Sequence, residues 1–167
     1  DKILKEMHRK YSVQEFVDFI QIANESVKDL CIGTDIMVGY PGETVEDFEE
    51  TLNVFRENPF AYTHVFPYSK RGNTPAARVL DQVTEEEKKR RSAELRALSH
   101  RQNMAFYGQF LDQIMTVVFE RKQGDLWPGY TGNYIRVAVK SDQDLLNQSY
   151  KVKLKEIKAD FVLGELV

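Results

Sequence analysis

The fold of this chain is decided by residues 30–44, LCIGTDIMVGYPGET. The first nine residues are mostly apolar, which is typical of a parallel strand that is covered on both faces. Two glycines and a proline follow, and Thr44 then stands where a helix cap is expected. The stretch therefore predicts a β-strand that ends at Gly39 and leads through a tight turn into a helix.

The neighbouring segments continue this alternation. Ser12 and Glu15 have the spacing of a capping box, and apolar residues at three- and four-residue steps predict a helix to about Val27. The helix after Thr44 has an apolar face at Phe48, Leu52 and Phe55. Asn58-Pro59 ends it, and residues 61–67 are interpreted as a second strand. Such a βαβ unit is almost always parallel and right-handed, and in α/β barrels the chemistry lies at the C-terminal ends of the strands.

The second half of the chain has a different pattern. Residues 84–87, TEEE, cap a long helix that is expected to reach about residue 110 and to carry Leu95, Leu98 and Ala105. Five short alternating segments follow, at residues 115–121, 127–130, 134–139, 150–157 and 161–167. They predict a small five-stranded antiparallel β-barrel. The expected fold class is thus α/β plus all-β, with domains at residues 1–110 and 111–167.

Composition limits the function classes. The 167 residues are 42% hydrophobic, which is enough for one ordinary domain or two small ones. Neither a signal peptide nor a membrane span is visible, so a cytoplasmic location is expected. Cys31 is the single cysteine, which excludes an internal disulfide and a metal or iron–sulfur site built by cysteines of this chain. Because the chain starts at Asp1 without a methionine, we expect it to be a piece of a longer polypeptide.

Asp35 is the leading polar candidate on the first strand. Alternation places Ile32, Thr34, Ile36 and Val38 on one face and Cys31, Gly33, Asp35 and Met37 on the other. The aliphatic face is expected to pack under helices, so Asp35 should point into the barrel lumen, where a ligand could reach it. The alternative is that Asp35 only accepts a hydrogen bond from a neighbouring backbone amide. The glycines of residues 39–42 also have an ordinary explanation, since many strand-to-helix turns use them.

Two motifs carry a resemblance to a known family. Residues 33–44, GTDIMVGYPGET, with Glu46-Asp47-Phe48 resemble the fifth-strand segment of radical S-adenosylmethionine (SAM) methylthiotransferases. Residues 64–69, HVFPYS, with Thr74-Pro75-Ala76 resemble the sixth-strand segment. The sequence of residues 64–69 is most similar to that of the branch that acts on N6-threonylcarbamoyladenosine in tRNA. The family usually has a glycine before Thr74, where this chain has Asn73. Asn tolerates the left-handed conformation, so the turn is compatible with this difference.

The resemblance implies that residues 1–110 are the last β/α units of a partial TIM-like radical SAM barrel. It implies a cofactor-binding set at the two strand ends, namely Asp35, Gly39, Glu43, Phe66, Pro67 and Tyr68. His64 shares strand parity with Phe66 and could face the same side, although a lone histidine is more often a structural hydrogen-bonding group. No catalytic residue and no metal ligand is expected in this chain.

The resemblance also implies the cofactors of the full-length enzyme. These are SAM and 4Fe-4S clusters, and radical chemistry of this kind belongs to the cofactor while the protein supplies orientation. The CxxxCxxC loop that holds such a cluster is absent here. The cluster cysteines are therefore expected in missing N-terminal domains of the same polypeptide, and this chain alone is expected to be inactive.

Residues 111–167 resemble a TRAM domain, the small RNA-binding barrel of this family. The likeness rests on residues 129–137, GYTGNYIRV, and 163–167, LGELV. Independently, alternation turns Ile135 and Val137 inward and leaves Tyr134 and Arg136 outward. Single-stranded bases stack on exposed aromatic rings, and a neighbouring arginine can hold the phosphate. The expected RNA-binding residues are Tyr134, Arg136, Arg121, Lys122, Tyr130 and Arg71, and the expected partner is the tRNA anticodon stem-loop.

Other cations have an ordinary interpretation. Lys151, Lys153 and Lys155 share one strand face, and Lys88, Lys89, Arg90, Arg91, Arg96 and Arg101 lie on the long helix. Solvated surface is the expected explanation for both sets. Three alternative functions stay open: a methylthiotransferase for isopentenyladenosine in tRNA, one for a ribosomal protein, and a non-catalytic RNA-binding or protein-binding module.

Overall fold

The computed structural model describes residues 1–167 and divides them into two compact units, residues 1–102 and 103–167. The division lies inside the long helix, a few residues before the boundary that we expected near residue 110. The last turns of this helix belong to the second unit, where the backbone N–H of Arg136 donates a hydrogen bond to Tyr107 Oη at 3.3 Å.

The first unit has the predicted alternation of helices and strands. Its elements are α1 (Lys2–Glu6), α2 (Val13–Ser26), β1 (Gly33–Val38), α3 (Val45–Glu57), β2 (Tyr62–Pro67), α4 (Pro75–Arg78) and the main part of α5 (Glu85–Gly108). Both capping boxes are present, Ser12 with Glu15 and Thr44 with Asp47. The short helices α1 and α4 were not predicted.

The two strands of this unit pair in parallel, as the βαβ pattern predicts. Gly33 lies opposite Tyr62 and Val38 opposite Pro67, so the strands end level with each other. One side of the pair packs on a core formed by α2, α3 and α5, which includes Ile32, Val38, Phe48, Leu52, Phe55, Val65, Leu95 and Leu98. Ala105, which was predicted on the apolar face of α5, is exposed. The packing leaves the other side of the strand pair available for a site.

The second unit is a closed barrel of five strands. They are β3 (Ile114–Phe119), β4 (Leu126–Thr131), β5 (Arg136–Lys140), β6 (Ser149–Ile157) and β7 (Val162–Leu166), in the order β3-β4-β5-β7-β6. The inward residues Val117, Ile135, Val137, Val139, Leu145, Val152, Leu154 and Val162 are fully buried. The predicted inward orientation of Ile135 and Val137 is therefore confirmed, while Ala138 between the inward residues is also buried.

One pairing differs from the predicted antiparallel pattern, because β5 and β7 run parallel, with Val137 opposite Val162. The reason is geometric. A closed ring with an odd number of strands cannot alternate direction at every pairing, so at least one neighbouring pair must be parallel. None of the helices in the chain combines the length and the apolar composition needed to cross a membrane.

Candidate functional site

The side of the strand pair that faces away from the core carries Asp35 and its neighbours. In β1, Gly33, Asp35 and Met37 are exposed, whereas Val38 is buried. In β2, Thr63 and Val65 are buried, whereas His64 and Phe66 are exposed. The parallel register sets Asp35 beside His64 and Met37 beside Phe66. The predicted orientation of Asp35 and the shared parity of His64 and Phe66 agree with this arrangement.

This face combines an unpaired acid with apolar surface. The Asp35 carboxylate makes no hydrogen bond or ion pair, so the alternative in which it binds a neighbouring backbone amide has no support. Met37 is 38% exposed and Phe66 is 50% exposed, which is a large apolar area for two adjacent strand residues. A planar apolar ring could pack on Met37 and Phe66 while a hydroxyl group donates to Asp35.

His64 makes an aromatic contact within its own strand. Its ring lies 5.2 Å from the ring of Tyr62 in an edge-to-face arrangement. A Cβ built on Gly33 would come within 2.4 Å of the Tyr62 ring, so Gly33 provides the space that the ring occupies. Gly33 and Tyr62 lie opposite each other at the N-terminal end of the strand pair, two residues before Asp35 and His64.

The loop after β1 contains a hydrogen-bonded type II β-turn. Glu43 N–H donates to the carbonyl of Tyr40 at 2.9 Å, Pro41 and Gly42 lie at the centre, and Gly42 has φ +79°, as a type II turn requires. Gly39 also has a positive φ of +74°, and a Cβ there would come within 2.4 Å of Lys88 Cγ. Both glycines are therefore needed for the backbone conformation of this turn. This agrees with the ordinary interpretation of residues 39–42 as a strand-to-helix turn.

Glu43 has a different position from the one we predicted. Its carboxylate is buried, accepts the backbone N–H of Gly39 at 2.7 Å, and lies 2.5 Å from Arg91 Nη1. Burial raises the pKa of the Glu43 carboxyl, and the hydrogen bonds from Arg91 and Gly39 oppose that rise. Because both contacts lie within the unit, the Glu43 carboxylate holds the turn in place.

The helical partners of this turn were predicted as solvated surface, and that prediction is wrong for two residues. Lys88 and Arg91 are 5% and 3% exposed. Arg91 also donates through Nε to Glu87 at 2.8 Å, and hydrogen bonds from Arg90 and Arg91 lower the pKa of Glu87 to about 2. Lys88 and Arg91 share one helical face with the core residues Leu95 and Leu98, so this spacing was the signal that could have identified them.

The end of β2 and the residue that follows it differ in exposure. Phe66 and Pro67 are exposed, whereas Tyr68 is buried and its ring lies 5.6 Å from that of Tyr40. Lys88 Nζ is 5.4 Å from the centre of the Tyr68 ring. Tyr68 Oη is buried without a hydrogen-bond partner, which is uncommon in native proteins. The backbone N–H of Tyr68 donates to Val38 at 2.8 Å, so the two strand ends are joined directly.

Helix α1 lies against these strand ends, which the sequence patterns did not indicate. Lys2 Nζ donates to the carbonyl of Gly42 at 2.8 Å and pairs with Asp47 at 3.2 Å. Tyr40 Oη donates to the carbonyl of Glu6 at 3.2 Å, while Ile3 and Met7 pack against Tyr40 and Tyr68. A cavity of about 560 Å³ is lined by residues of α1, α2, β1 and α3, and Asp35, Met37 and Glu43 are part of its wall.

The barrel unit presents an exposed aromatic residue in an unusual conformation. Tyr134 is 69% exposed and has φ +61°, a region that bulky residues rarely occupy. Its backbone N–H donates to the carbonyl of Thr131, and Thr131 Oγ1 accepts the N–H of Ile135. Tyr130 lies directly opposite Arg136 and is also exposed. Tyr134, Tyr130 and Arg136 therefore lie together at one end of the β4–β5 hairpin.

The other predicted RNA-binding residues lie elsewhere. Arg121 and Lys122 are in the β3–β4 connection, near the opposite end of β4 from Tyr130. Lys122 Nζ lies 5.6 Å from the centre of the Trp127 ring and donates to the carbonyl of Ser141 at 3.3 Å. Arg71 belongs to the first unit, in the exposed loop after β2. The structure therefore groups three of the six predicted residues and separates the others from them.

Most of the cations on β6 have acidic neighbours. Lys153 lies 3.5 Å from Asp112, and Lys155 lies 3.5 Å from Glu165. This agrees with the interpretation of these lysines as ordinary surface. No group of three or more His, Cys, Asp or Glu side chains in the chain is placed to hold a metal ion.

Comparisons with known proteins give a consistent result. A family model described as the Radical SAM superfamily matches residues 1–55. The chain is 37% identical over 168 residues to the threonylcarbamoyladenosine tRNA methylthiotransferase MtaB of Bacillus subtilis (strain 168), covering 98% of this chain and 37% of that protein.

The chain also matches a second group of tRNA-modifying enzymes over nearly its whole length. The chain is similar to a tRNA-2-methylthio-N(6)-dimethylallyladenosine synthase of Endomicrobium trichonymphae, at 35% identity over all of this chain and 40% of that protein. It is also similar to one of Acetivibrio thermocellus, at 33% identity over 99% of this chain and 35% of that protein. The chain spans little more than a third of the length of these relatives.

Proposed function

Because the chain belongs to the radical SAM methylthiotransferase family, we propose that it is part of an enzyme that adds a methylthio group at C2 of N6-threonylcarbamoyladenosine, next to the tRNA anticodon. The first unit is the end of the radical SAM barrel and the second is the TRAM-like barrel. Such an enzyme would act in the cytoplasm, where its tRNA substrate is found. The 4Fe-4S ligands would lie in other parts of the polypeptide, and these 167 residues alone would be inactive.

The observation that carries this proposal is the exposed face of the two parallel strands. Asp35 has no partner there, and Met37 and Phe66 present apolar surface beside it in one register. These residues fit the adenosine part of SAM, because a carboxylate accepts hydrogen bonds from ribose hydroxyls and apolar side chains pack on a purine ring. When it is bound beside its cluster, SAM supplies the radical chemistry of the reaction.

The remaining predicted residues take supporting places around this face. Gly39 and Pro67 would lie along the nucleoside through their backbones, at strand ends that are level with each other. Glu43 acts as a positioning residue, since its bonds to Gly39 and Arg91 fix the turn. Tyr68 Oη is buried without a hydrogen-bond partner, so a polar group of a bound ligand would satisfy it.

The second unit would bind tRNA through Tyr134, Tyr130 and Arg136. Strained backbone is retained mainly where function requires it, and the φ of +61° at the exposed Tyr134 is such a case. Unstacked bases pack on exposed aromatic rings of this kind, while a nearby guanidinium holds phosphate. Arg121, Lys122 and Arg71 would contribute more distant phosphate contacts.

The choice of substrate rests on two points. The Bacillus subtilis relative is named for threonylcarbamoyladenosine, and residues 64–69 resemble the segment of that branch. The second candidate is N6-dimethylallyladenosine (isopentenyladenosine), because other relatives at 33–35% identity are named for it. Both candidates place the methylthio group on a modified adenosine of tRNA.

Mass spectrometry of tRNA nucleosides separates these candidates. Cells that lack the gene encoding this chain are expected to lose the 2-methylthio form of N6-threonylcarbamoyladenosine and to accumulate the unmethylthiolated form, and the intact gene should restore it. Loss of the 2-methylthio form of the dimethylallyl nucleoside would show that the second candidate is correct. If neither nucleoside changes, the proposed function is wrong.

A further inference from the structure

Arg136 already has an anionic partner. Its Nη1 lies 2.5 Å from Asp160 Oδ2, and both side chains reach the surface of the barrel. The exposed ring of Tyr130 belongs to the residue directly opposite Arg136 on β4, and Tyr134 precedes Arg136 by two residues. The cation that would hold phosphate is thus occupied by a carboxylate at the same place where two aromatic rings are available for bases.

The barrel topology holds this pair together. β5 and β7 run parallel with Val137 opposite Val162, so the turn that leads into β7 and carries Asp160 lies next to the start of β5, where Arg136 stands. The backbone N–H of Lys158 donates to the carbonyl of Phe161 at 2.8 Å, which closes the turn that carries Asp160. The turn before β7 therefore places the Asp160 carboxylate within reach of the Arg136 side chain.

We propose that Asp160 is an internal competitor for RNA phosphate, whose carboxylate occupies Arg136 until a phosphate displaces it. This inference rests on the proposed binding of tRNA by the second unit. A carboxylate and a phosphate accept the same charge-assisted hydrogen bonds from a guanidinium, so the two anions compete for the donors and the positive charge of Arg136. The exchange weakens binding of phosphate alone and favours RNA whose unstacked bases also contact Tyr134 and Tyr130.

The charge of the unit agrees with this role. Residues 103–167 contain eight basic and eight acidic side chains, so the unit has no net charge to attract RNA at long range. Lys153, Lys155 and Lys158 also have carboxylate partners. The Arg136 pair differs from these in lying beside two exposed tyrosine residues, so its opening would be coupled to base stacking.

The test compares two substitutions that change charge equally. Asp160→Asn frees Arg136, whereas Glu165→Gln frees Lys155, and each raises the net charge by one unit. Binding of a fluorescent anticodon stem-loop to the full chain is measured by anisotropy. We expect Asp160→Asn to lower the Kd about two- to fivefold relative to Glu165→Gln, in the range that exposed ion pairs contribute. In an Arg136→Gln background, Asp160→Asn and Glu165→Gln should change the Kd equally.

The possible results separate this inference from the proposed function. If the unmodified chain binds the stem-loop and Asp160→Asn changes the Kd no more than Glu165→Gln, the competition between Asp160 and phosphate is disproved while RNA binding stands. If Asp160→Asn still lowers the Kd more than Glu165→Gln does in the Arg136→Gln background, the competition is also disproved, since the gain would not depend on Arg136. If no variant binds RNA, the proposed RNA binding by this unit is wrong and the inference fails with it.

Discussion

Replacing Arg91 with methionine is expected to lower the free energy of unfolding of the first unit by about 3–5 kcal/mol, the range measured when one partner of a buried ion pair is removed. Methionine keeps much of the side-chain volume but leaves Glu43 without its cation. The Glu43 carboxylate is buried and retains the N–H of Gly39 as a donor. The turn after β1 should therefore loosen together with the fold.

Urea denaturation of the full chain, followed by helical circular dichroism, measures this change, because most of the helical residues lie in the first unit. Arg90→Met is the matched control, since Arg90 is next in sequence but forms its ion pairs with Glu87 and Glu94 at the surface. We expect the control to change stability little. Equal losses in the two variants would show that the buried pair has no special importance.

The pH dependence gives a second signature of the same substitution. Burial already raises the pKa of Glu43, and removing Arg91 removes the interactions that oppose the rise. The folded state of Arg91→Met then binds a proton at Glu43 more tightly than the unfolded chain does, so the contribution of Glu43 to stability increases as the pH falls through its raised pKa. The difference from the unmodified chain should therefore shrink at acidic pH. A difference that does not depend on pH would exclude Glu43 as its cause.

Replacing Tyr134 with asparagine is expected to weaken RNA binding while leaving the barrel at least as stable. The loss of one stacking contact corresponds to about a five- to 150-fold higher Kd. Asparagine adopts positive φ readily, whereas a bulky residue in this region is strained by about 1–2 kcal/mol. Because Tyr134 is 69% exposed, little packing is lost in exchange.

The two readouts are the Kd for an anticodon stem-loop and the midpoint of thermal unfolding. Tyr134→Phe is the control, because it keeps the ring and the backbone strain but removes the hydroxyl. This control should bind RNA nearly as well as the unmodified chain and should show no gain in stability. If Tyr134→Asn binds RNA normally, or unfolds at a clearly lower temperature, Tyr134 is a structural residue and not a binding residue.

The orientation of Asp35 could be predicted from the sequence because strand side chains alternate with a period of two. One aliphatic face in residues 32–38 was enough to place Asp35, Gly33 and Met37 on the opposite side. The capping boxes at Ser12 and Thr44 were equally local, since a cap depends on side chains three residues apart. Features that depend on neighbouring residues were therefore predicted correctly.

The features that the sequence did not reveal depend on tertiary contacts. Lys88 and Arg91 lie in a run of charged residues that is typical of solvated helix. Their spacing places them on the face of Leu95 and Leu98, but the turn at residues 39–43 that packs against them is a tertiary contact. Glu43 could not be separated from a ligand-binding acid until its partner Arg91, 48 residues away, was known. Helix α1 has five residues and makes its contacts through Lys2 and Glu6 with the distant turn.

The most direct test of the nucleoside site is an NMR titration of the isotopically labelled chain with SAM. A purine that packs on Met37 and Phe66 changes the methyl signal of Met37 through its ring current. We expect the signals of the Met37 methyl group and of the Asp35 and Gly39 amides to shift most. The signals of residues 114–166 in the second unit should not change. Shifts that avoid β1 and β2, or no shift at Met37 at saturating SAM, would contradict the assignment of this strand face to a nucleoside.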